Sequence, residues 1–267
     1  MTSEPIFDAH LHIIAAGFPL VTNQGYLPPA FDCAAYRAHS EPLGICAGAV
    51  VSGSFQAFDQ SYLLAALHQL GPRFVGVTQL PATVSDAEIL RLDRAGVRGL
   101  RFNLKRGGSA GIDELNRLAR RVHEIAGWHC ELYCASAELA PLFDLLSALP
   151  AVSIDHLGLT ATGFDVLLRL AERGVRVKAT GFGRVDFPVA PALRQLHAAN
   201  PAALLFGTDL PGTRTPRPFQ TTDLDLIRQT LGPVGARQVL YENARAFYRL
   251  DAAAAMRRND EQNSHSH

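Results

Sequence analysis

The residues with the clearest chemical potential are two histidines near the N-terminus, in the run Phe7-Asp8-Ala9-His10-Leu11-His12. Residues 6–10 form a short apolar segment, which is typical of a buried strand. Side chains two residues apart on a strand point to the same face. His10 and His12 should therefore converge at the carboxyl end of this strand, where imidazoles can bind a metal or polarise a carbonyl. Because such pairs are also common on protein surfaces, the prediction depends on what recurs downstream.

Further polar residues follow other apolar segments of the chain. In chain order, these residues are Arg101, Asn103, Lys105, Arg106, His129, Glu131, Tyr133, His156, Lys178, Arg184 and Asp209. Each also has an ordinary structural interpretation. A lone histidine at a strand end is often simply a hydrogen-bonded structural residue. Asp209 can cap a helix, and Arg101 or Arg106 can form a surface ion pair. Several polar residues that each end a different strand are hard to explain by structure alone, so the joint pattern indicates a functional site.

Eight apolar or β-branched segments alternate with segments of helical periodicity. The predicted strands are residues 6–10, 45–51, 74–80, 97–103, 130–133, 152–156, 175–180 and 203–207, and the predicted helices include 61–70, 86–94, 113–125, 137–149 and 164–172. Such alternation is typical of parallel βαβ units, and eight of them predict an α/β fold, a single (β/α)8 TIM-type barrel over residues 1–250. A doubly wound open sheet is the alternative, but no glycine-rich phosphate loop follows the first strand.

A barrel of this kind would place its catalytic groups at the carboxyl ends of its strands and in the loops that follow. The polar residues singled out above stand at those positions. Two longer loops, residues 15–31 and 210–221, also follow strands and should overhang the same face.

Composition argues against several kinds of partner. Among 267 residues, 25 are basic and 25 acidic, so the net charge of zero indicates neither a nucleic-acid nor a membrane-surface partner. No apolar run approaches the ~20 residues of a membrane-spanning helix, and we see no signal-peptide pattern, so we expect a cytoplasmic protein. Of four cysteines, Cys130 and Cys134 are expected to be buried thiols. Residues 251–267 read as a disordered tail, and nothing in the sequence indicates the oligomeric state.

Three motifs carry a family resemblance. They are Phe-Asp-Ala-His-Leu-His at 7–12, Ile-Asp-His-Leu-Gly at 154–158 and Phe-Gly-Thr-Asp-Leu-Pro at 206–211. In this order they resemble the amidohydrolase superfamily, and most of all its amidohydrolase-2 branch, which contains 2-pyrone-4,6-dicarboxylate lactonases and sugar-lactone hydrolases. The likeness extends over residues 6–250, since residues 241–247 resemble the closing helix of the superfamily.

The resemblance implies a role for each matching position. His10, His12 and His156 would bind and polarise the scissile carbonyl, and Asp209 would be the general base that activates water. The carboxylates of a small anionic lactone would be held by Arg101, Arg106, Tyr133 and Arg184. The implied reaction is hydrolysis of a carboxylate-bearing lactone such as 2-pyrone-4,6-dicarboxylate, a step of aromatic catabolism.

The superfamily usually binds one or two divalent metals, but this sequence departs from its ligand pattern. Tyr133 ends the fifth strand where a metal site needs a histidine, and His129, four residues earlier, should lie deep in the barrel or near its amino end. Asn103 stands where a carbamylated lysine would bridge two metals. We therefore expect no catalytic metal, as in the metal-independent lactonases of the branch. The alternative is one zinc ion, with the ligands His10, His12, His156 and Asp209.

Other functions stay open from the sequence. An aldaric-acid or sugar-lactone hydrolase or isomerase would need fewer arginines, and an amidohydrolase-2 decarboxylase would require bound zinc. A binding protein that has lost its chemistry is the non-enzymatic alternative. The joint presence of three histidines and Asp209 argues against that last reading.

Overall fold

A computed structural model describes residues 4–250, and these residues form a barrel of eight parallel strands. The strands are β1 Ile6–Leu11, β2 Ile45–Val51, β3 Phe74–Thr78, β4 Val97–Asn103, β5 His129–Tyr133, β6 Val152–Ile154, β7 Arg176–Ala179 and β8 Leu204–Phe206. Each strand pairs in parallel with the next one in the sequence. The predicted (β/α)8 barrel is confirmed, and the open-sheet alternative, whose strand order is not sequential, is wrong.

Helices separate the successive strands. They are α1 Cys33–Ser40, α2 Ser61–Leu70, α3 Asp86–Arg94, α4 Leu115–Ala126, α5 Phe143–Ala148, α6 Phe164–Glu172, α7 Val189–Ala199, α8 Thr221–Arg237 and, after a π-helical turn at Gln238–Glu242, α9 Asn243–Phe247. The helix predicted over 137–149 is shorter than expected, because the 3₁₀ turn Ala140–Leu142 contains Pro141, which has no N–H to continue an α-helix. None of the helices within residues 4–250 is long and apolar enough to cross a membrane.

The barrel closes where the segment after β8 meets β1. The backbone N–H of Asp209 donates to the carbonyl of His10 at 2.7 Å, and that of His12 donates to the carbonyl of Leu210 at 2.8 Å. These bonds satisfy backbone groups at the carboxyl ends of two strands far apart in the sequence. They also fix both histidines of the His-x-His motif next to Asp209.

A buried carboxylate, Asp8, fastens the same seam. Its oxygens accept from the N–H and hydroxyl of Thr208 at 2.8 and 2.6 Å, and from the hydroxyl of Tyr36 at 3.0 Å. Burial raises the pKa of Asp8 to about 6, against the lowering effect of these hydrogen bonds. Asp8 is therefore a structural partner of the seam and does not reach the cleft described below.

The barrel interior divides into an apolar lower part and a polar upper part. The lower part is filled by a cluster that includes Phe7, Ala9, Ala49, Val77, Leu205 and Tyr248. The rings of Phe7 and Tyr248 stack with their centroids 5.4 Å apart. Most of the buried polar side chains lie toward the carboxyl end, as in other (β/α)8 barrels, and His129 at the amino end of β5 is an exception.

Four strands, β3, β6, β7 and β8, end earlier than predicted, and two of them do so just before predicted site residues. Strand β6 ends at Ile154 and β8 at Phe206, so His156 and Asp209 lie in the following turns, with φ of 50° and 59°. Positive φ is uncommon for residues other than glycine and is concentrated at functional sites.

Cys130 and Cys134 are buried free thiols, as expected. The expected tail at 251–267 lies outside the described residues.

Candidate active site

A cleft of about 370 Å³ opens at the carboxyl end of the barrel. Seven of the predicted site residues line it: His12, Arg101, Arg106, Tyr133, His156, Arg184 and Asp209. His10, the eighth, lies beneath the cleft, with its ring 5.0 Å from His12 and 4.8 Å from His156, centroid to centroid. The structure thus brings together the eight residues to which the family resemblance assigns a role.

Asp209 is the carboxylate at the centre of this cleft. Arg184 donates from Nε to Asp209 Oδ2 at 2.7 Å and from Nη2 to the carbonyl of Thr213 at 2.7 Å. Burial favours the protonated form of Asp209, but the Arg184 guanidinium together with the neighbouring histidines outweighs burial and holds the pKa of Asp209 well below its usual range. The other oxygen, Oδ1, has no hydrogen-bond partner among the described protein groups. Asp209 is therefore ionised and has one oxygen available.

His12 directs one ring nitrogen at that free oxygen. Its Nδ1 lies 2.8 Å from the carbonyl of Val51, which can only accept, so Nδ1 carries a proton. Its Nε2 lies 3.7 Å from Asp209 Oδ1. In a neutral ring this nitrogen has the lone pair, so His12 and Asp209 together offer two acceptors to a water molecule.

His156 forms another wall of the site. Its Nδ1 lies 2.6 Å from the hydroxyl oxygen of Thr180, and its ring packs edge-on against Tyr133 with centroids 5.1 Å apart. Burial lowers the pKa of His156 to about 3, with a smaller contribution from the Arg184 guanidinium and in opposition to Asp209. The imidazole is therefore neutral near pH 7 and acts by hydrogen bonding.

His10 lies deepest of the three histidines. Its Nδ1 is 3.1 Å from the ammonium nitrogen of Lys178, and its Nε2 is 4.0 Å from Asp209 Oδ1 with no hydrogen-bond partner. Burial, aided by the charge of Lys178, lowers the pKa of His10 well below its ordinary value. His10 is neutral at physiological pH.

A buried ionic network supports the histidines from below. Lys178 Nζ pairs with Glu131 Oε2 at 2.6 Å, and Arg101 Nη2 pairs with Asp155 Oδ2 at 2.7 Å. The two cations balance the two carboxylates, as buried charges require. The sequence placed Glu131 and Lys178 on strands at this end but assigned neither a role, and Asp155 was overlooked. Two signals in the sequence were available. Glu131 alternates with His129 and Tyr133 on the fifth strand, and Asp155 stands next to His156 on the predicted sixth strand.

Arg101 belongs to this network as much as to the cleft. It is 3% exposed, and besides Asp155 its Nη1 donates to the carbonyl of Ser52 at 2.7 Å. Its guanidinium also lies 5.4 Å from the centre of the Tyr133 ring. The surface ion pair considered for Arg101 is therefore wrong, and its contact with a substrate carboxylate stays a prediction.

Two arginines stand at the mouth of the cleft. Arg214, which the sequence reasoning missed, lies over the Tyr26 ring at 4.4 Å and donates to Asn23 Oδ1 at 3.1 Å. Arg106 donates to Gln24 Oε1 at 3.3 Å. Burial and the nearby positive charge of Arg106 lower the pKa of Arg214. None of the ion pairs found within residues 4–250 involves either side chain, so this rim is suited to an anion.

The loops over residues 15–31 and 210–221 meet above the cleft through these contacts. Both loops follow strands, which is the only sequence signal that pointed to Arg214. His129, in contrast, packs against Phe247 and Tyr248 at the amino end of β5, as predicted, and stays away from the cleft.

A metal ion could find three ligand atoms here by distance alone. Within residues 4–250, the ligand atoms of His10, His12 and Asp209 lie within 4.8 Å of one another, as do those of His10, Asp155 and His156. However, Arg184 bonds Asp209 and Lys178 contacts His10, whereas a metal-bound histidine usually donates its second N–H to an acceptor. With fixed cations on two of three ligands, the first set does not fit a divalent metal, and Asp155 in the second set is paired with Arg101.

Comparison with known proteins finds relatives that are named as hydrolases. The chain is 31% identical over 271 residues to a 4-sulfomuconolactone hydrolase of Rhizobium radiobacter, covering 90% of this chain and 89% of that protein. It is 33% identical over 156 residues to a 2-pyrone-4,6-dicarboxylate hydrolase of Comamonas testosteroni, a match that covers 57% of this chain and 51% of that protein.

The fold has close relatives as well. A crystal structure from Pseudomonas putida, provisionally named a 2-pyrone-4,6-dicarboxylic acid hydrolase, superposes with a TM-score of 0.79 at 27% identity, covering 92% of this chain and 98% of that one. The family model described as Amidohydrolase matches residues 7–250. With its barrel, its His-x-His motif and its strand-end aspartate, the chain belongs to the amidohydrolase family.

Proposed function

We propose that this protein hydrolyses a small lactone that carries carboxylate or similar anionic groups, such as 2-pyrone-4,6-dicarboxylate. The observation that carries the proposal is Asp209, an ionised carboxylate with one free oxygen that faces two imidazoles beneath a rim of arginines. The names of the two relatives, both hydrolases and one a lactone hydrolase, support the same class of reaction.

Asp209 is the general base of this reaction. A water molecule bound between Asp209 Oδ1 and His12 Nε2, atoms 3.7 Å apart, attacks the lactone carbonyl carbon while Asp209 takes up its proton. The ring C–O bond then breaks, and the leaving oxygen regains the proton from Asp209 or solvent. An enolate leaving group, as in a pyrone, requires little help from an acid.

The histidines stabilise the charge that develops on the carbonyl oxygen. His10 and His156 are neutral and buried, so each ring has one N–H. His10 Nε2 has no other partner, and the N–H of His156 faces the cleft when the Thr180 hydroxyl donates to His156 Nδ1, so in that arrangement both rings donate to the carbonyl oxygen. A preorganised donor of this kind is worth about 3–4 kcal/mol in the transition state. A neutral donor suffices because an activated lactone is a more reactive acyl compound than an amide.

Anion recognition falls to the arginines. Arg106 and Arg214 at the rim have no carboxylate partner within the described chain, so they are available for one anionic group of the substrate. Arg184, Arg101 and Tyr133 line the cleft further down and face the second group. Planar guanidinium groups bind carboxylates through two parallel hydrogen bonds, which a neutral sugar lactone does not need.

The reaction proceeds without a metal in this proposal. The positive charge of Arg184 lies next to Asp209 and that of Lys178 next to His10, which are both candidate ligands. Tyr133 stands where a metal site would need a histidine. Asp209, held ionised by Arg184, supplies the basic function that a metal-bound hydroxide would otherwise provide.

The test is hydrolysis of 2-pyrone-4,6-dicarboxylate by chelator-treated protein, followed by loss of ring absorbance. We expect turnover without metal, no gain when zinc is restored, and its loss in Asp209→Asn. Activity that returns only with zinc would overturn the metal-free mechanism. Absence of turnover under both conditions, together with hydrolysis or isomerisation of an aldaric lactone or release of CO₂ from an aromatic acid, would overturn the proposed substrate.

A further inference from the structure

Lys178 on β7 is a lysine buried completely inside the barrel. Its side chain is 0% exposed, and its Nζ lies 2.6 Å from Glu131 Oε2, 3.1 Å from His10 Nδ1 and 5.9 Å from the centre of the Tyr248 ring. Lysine is rarely buried, because desolvating an ammonium is costly unless partners compensate it. Glu131 compensates the charge, but the contact with His10 needs another explanation.

The contact with His10 determines which nitrogen of that ring carries the proton. An ammonium has three donors and no acceptor, and that of Lys178 is paired with the Glu131 carboxylate at 2.6 Å. His10 Nδ1, at 3.1 Å, must therefore present its lone pair, and the single proton of the neutral ring must lie on Nε2. Two carboxylate oxygens compete for Nδ1, Asp155 Oδ1 at 3.5 Å and Glu131 Oε1 at 3.7 Å, but both contacts are longer than the one to Lys178 Nζ.

His12 has the opposite tautomer. Its Nδ1 donates to the carbonyl of Val51, so its Nε2 has the lone pair. The two Nε2 atoms near Asp209 Oδ1 are thus unlike, since the one on His10 is a donor and the one on His12 an acceptor. A carbonyl oxygen finds its donor at His10, while water finds its acceptors at His12 and Asp209.

We propose that Lys178 is a positioning residue that holds His10 in the Nε2–H tautomer. This tautomer makes His10 a hydrogen-bond donor to the substrate carbonyl and removes the lone pair that a metal ion would need. In zinc proteins a carboxylate or carbonyl usually accepts from the second ring nitrogen of the ligand histidine, so that the metal-facing nitrogen keeps its lone pair. Here the arrangement is reversed on the same His-x-His motif, because Lys178 donates to the second ring nitrogen of His10 where a zinc protein would have an acceptor.

The catalytic part of this inference rests on the proposed lactone hydrolysis, but the tautomer and the exclusion of metal do not. Lys178→Met keeps most of the side-chain volume and removes the donor. It also leaves Glu131 with only the longer cationic contact to Arg101 Nε at 3.8 Å, so the double variant Lys178→Met/Glu131→Gln restores the charge balance of the network. Lys105→Met, at the exposed lysine of the loop after β4, is the control for zinc binding and tautomer.

The first measurement is the ¹⁵N–¹H NMR spectrum of the histidine rings in the wild-type protein, with His10 assigned by its absence in His10→Asn. We expect the His10 proton on Nε2 and the His12 proton on Nδ1, and Lys105→Met to leave both unchanged. A His10 proton on Nδ1 would overturn the inference, and this measurement requires no variant of Lys178 to fold.

The second measurement is zinc affinity by competition with a chromophoric chelator. The double variant should bind zinc about 10–100-fold more tightly than wild type, the range by which outer partners of ligand histidines tune metal affinity. Its kcat without metal should fall about 10²–10³-fold with little change in KM, the effect of losing one oxyanion donor. Equal zinc affinity in both proteins would overturn the inference. A wild-type His10 protonated on Nε2 without any lactone turnover would sustain it and overturn the proposed function.

Discussion

Replacing Arg184 by glutamine isolates the electrostatic control of Asp209. In the folded protein, Arg184 Nε lies 2.7 Å from Asp209 Oδ2, and both side chains are largely withdrawn from water. Burial alone raises the pKa of Asp209, and the guanidinium is the permanent cation and the largest of the groups that together reverse this effect. Glutamine keeps a hydrogen-bond donor of smaller size but removes the charge.

The expected magnitude follows from that distance. Two unit charges 2.7 Å apart at an effective dielectric constant of about 20 attract by roughly 6 kcal/mol. Water entering the space vacated by the larger side chain, and the amide of glutamine, recover part of this energy. We therefore expect the pKa of Asp209 to rise by about 3–4 units, or about 4–5.5 kcal/mol, back to near its ordinary value.

The sign of the effect is unambiguous. Asp209 must be ionised to accept a proton, so a higher pKa means that activity is lost at a higher pH. In the wild-type protein, the acid limb of the pH profile of kcat/KM should lie below the pH range in which the enzyme stays folded. Arg184→Gln should move this acid limb into that pH range. A substrate-binding role alone would instead raise KM at every pH.

The assay is kcat/KM from about pH 3 to pH 8 with one lactone substrate at constant ionic strength, with circular dichroism at each pH to exclude unfolding. Arg106→Gln is the matched control, because Arg106 lines the same cleft without contacting Asp209. It should raise KM and leave the limb in place. If Arg184→Gln lowers kcat/KM by the same factor at every pH, the electrostatic reasoning is refuted and Arg184 is only a substrate ligand.

Three further substitutions test the site and its supports. Asp209→Asn should lower kcat by about 10²–10⁴ with KM nearly unchanged in steady-state kinetics, and a retained kcat would exclude Asp209 as the base. Gly99→Ala places a Cβ 2.5 Å from the His129 ring and should cost about 1–3 kcal/mol in urea unfolding, whereas an unchanged midpoint would contradict that packing. Tyr36→Phe removes the 3.0 Å hydrogen bond to Asp8 and should lower the free energy of unfolding by about 1–3 kcal/mol. The same urea assay checks this, with Tyr241→Phe at a partly exposed tyrosine as the control.

The strand and helix pattern was predictable from the sequence, because apolar periodicity reports which faces of each element are buried. Eight apolar segments, alternating with amphipathic ones, are enough to predict a barrel with its functional groups at one end. The errors concern the ends of elements, in the helix predicted over 137–149 as well as in the strands. The extended pattern continues through Asp155 and His156 in the sequence, yet the chain turns after Ile154 with positive φ at His156. Periodicity carries no information about such a turn.

The sequence by itself thus determined the barrel, the identity of the strand-end residues and, through its motifs, the amidohydrolase family. The tertiary structure alone decided how those residues pair. Lys178 and His10 are 168 residues apart and meet only because β7 and β1 both line the interior of the closed barrel. Arg184 reaches Asp209, and Arg214 reaches the rim, by the paths of two loops. Such pairings depend on closure, loop conformation and side-chain rotamers, which local patterns of polarity do not encode.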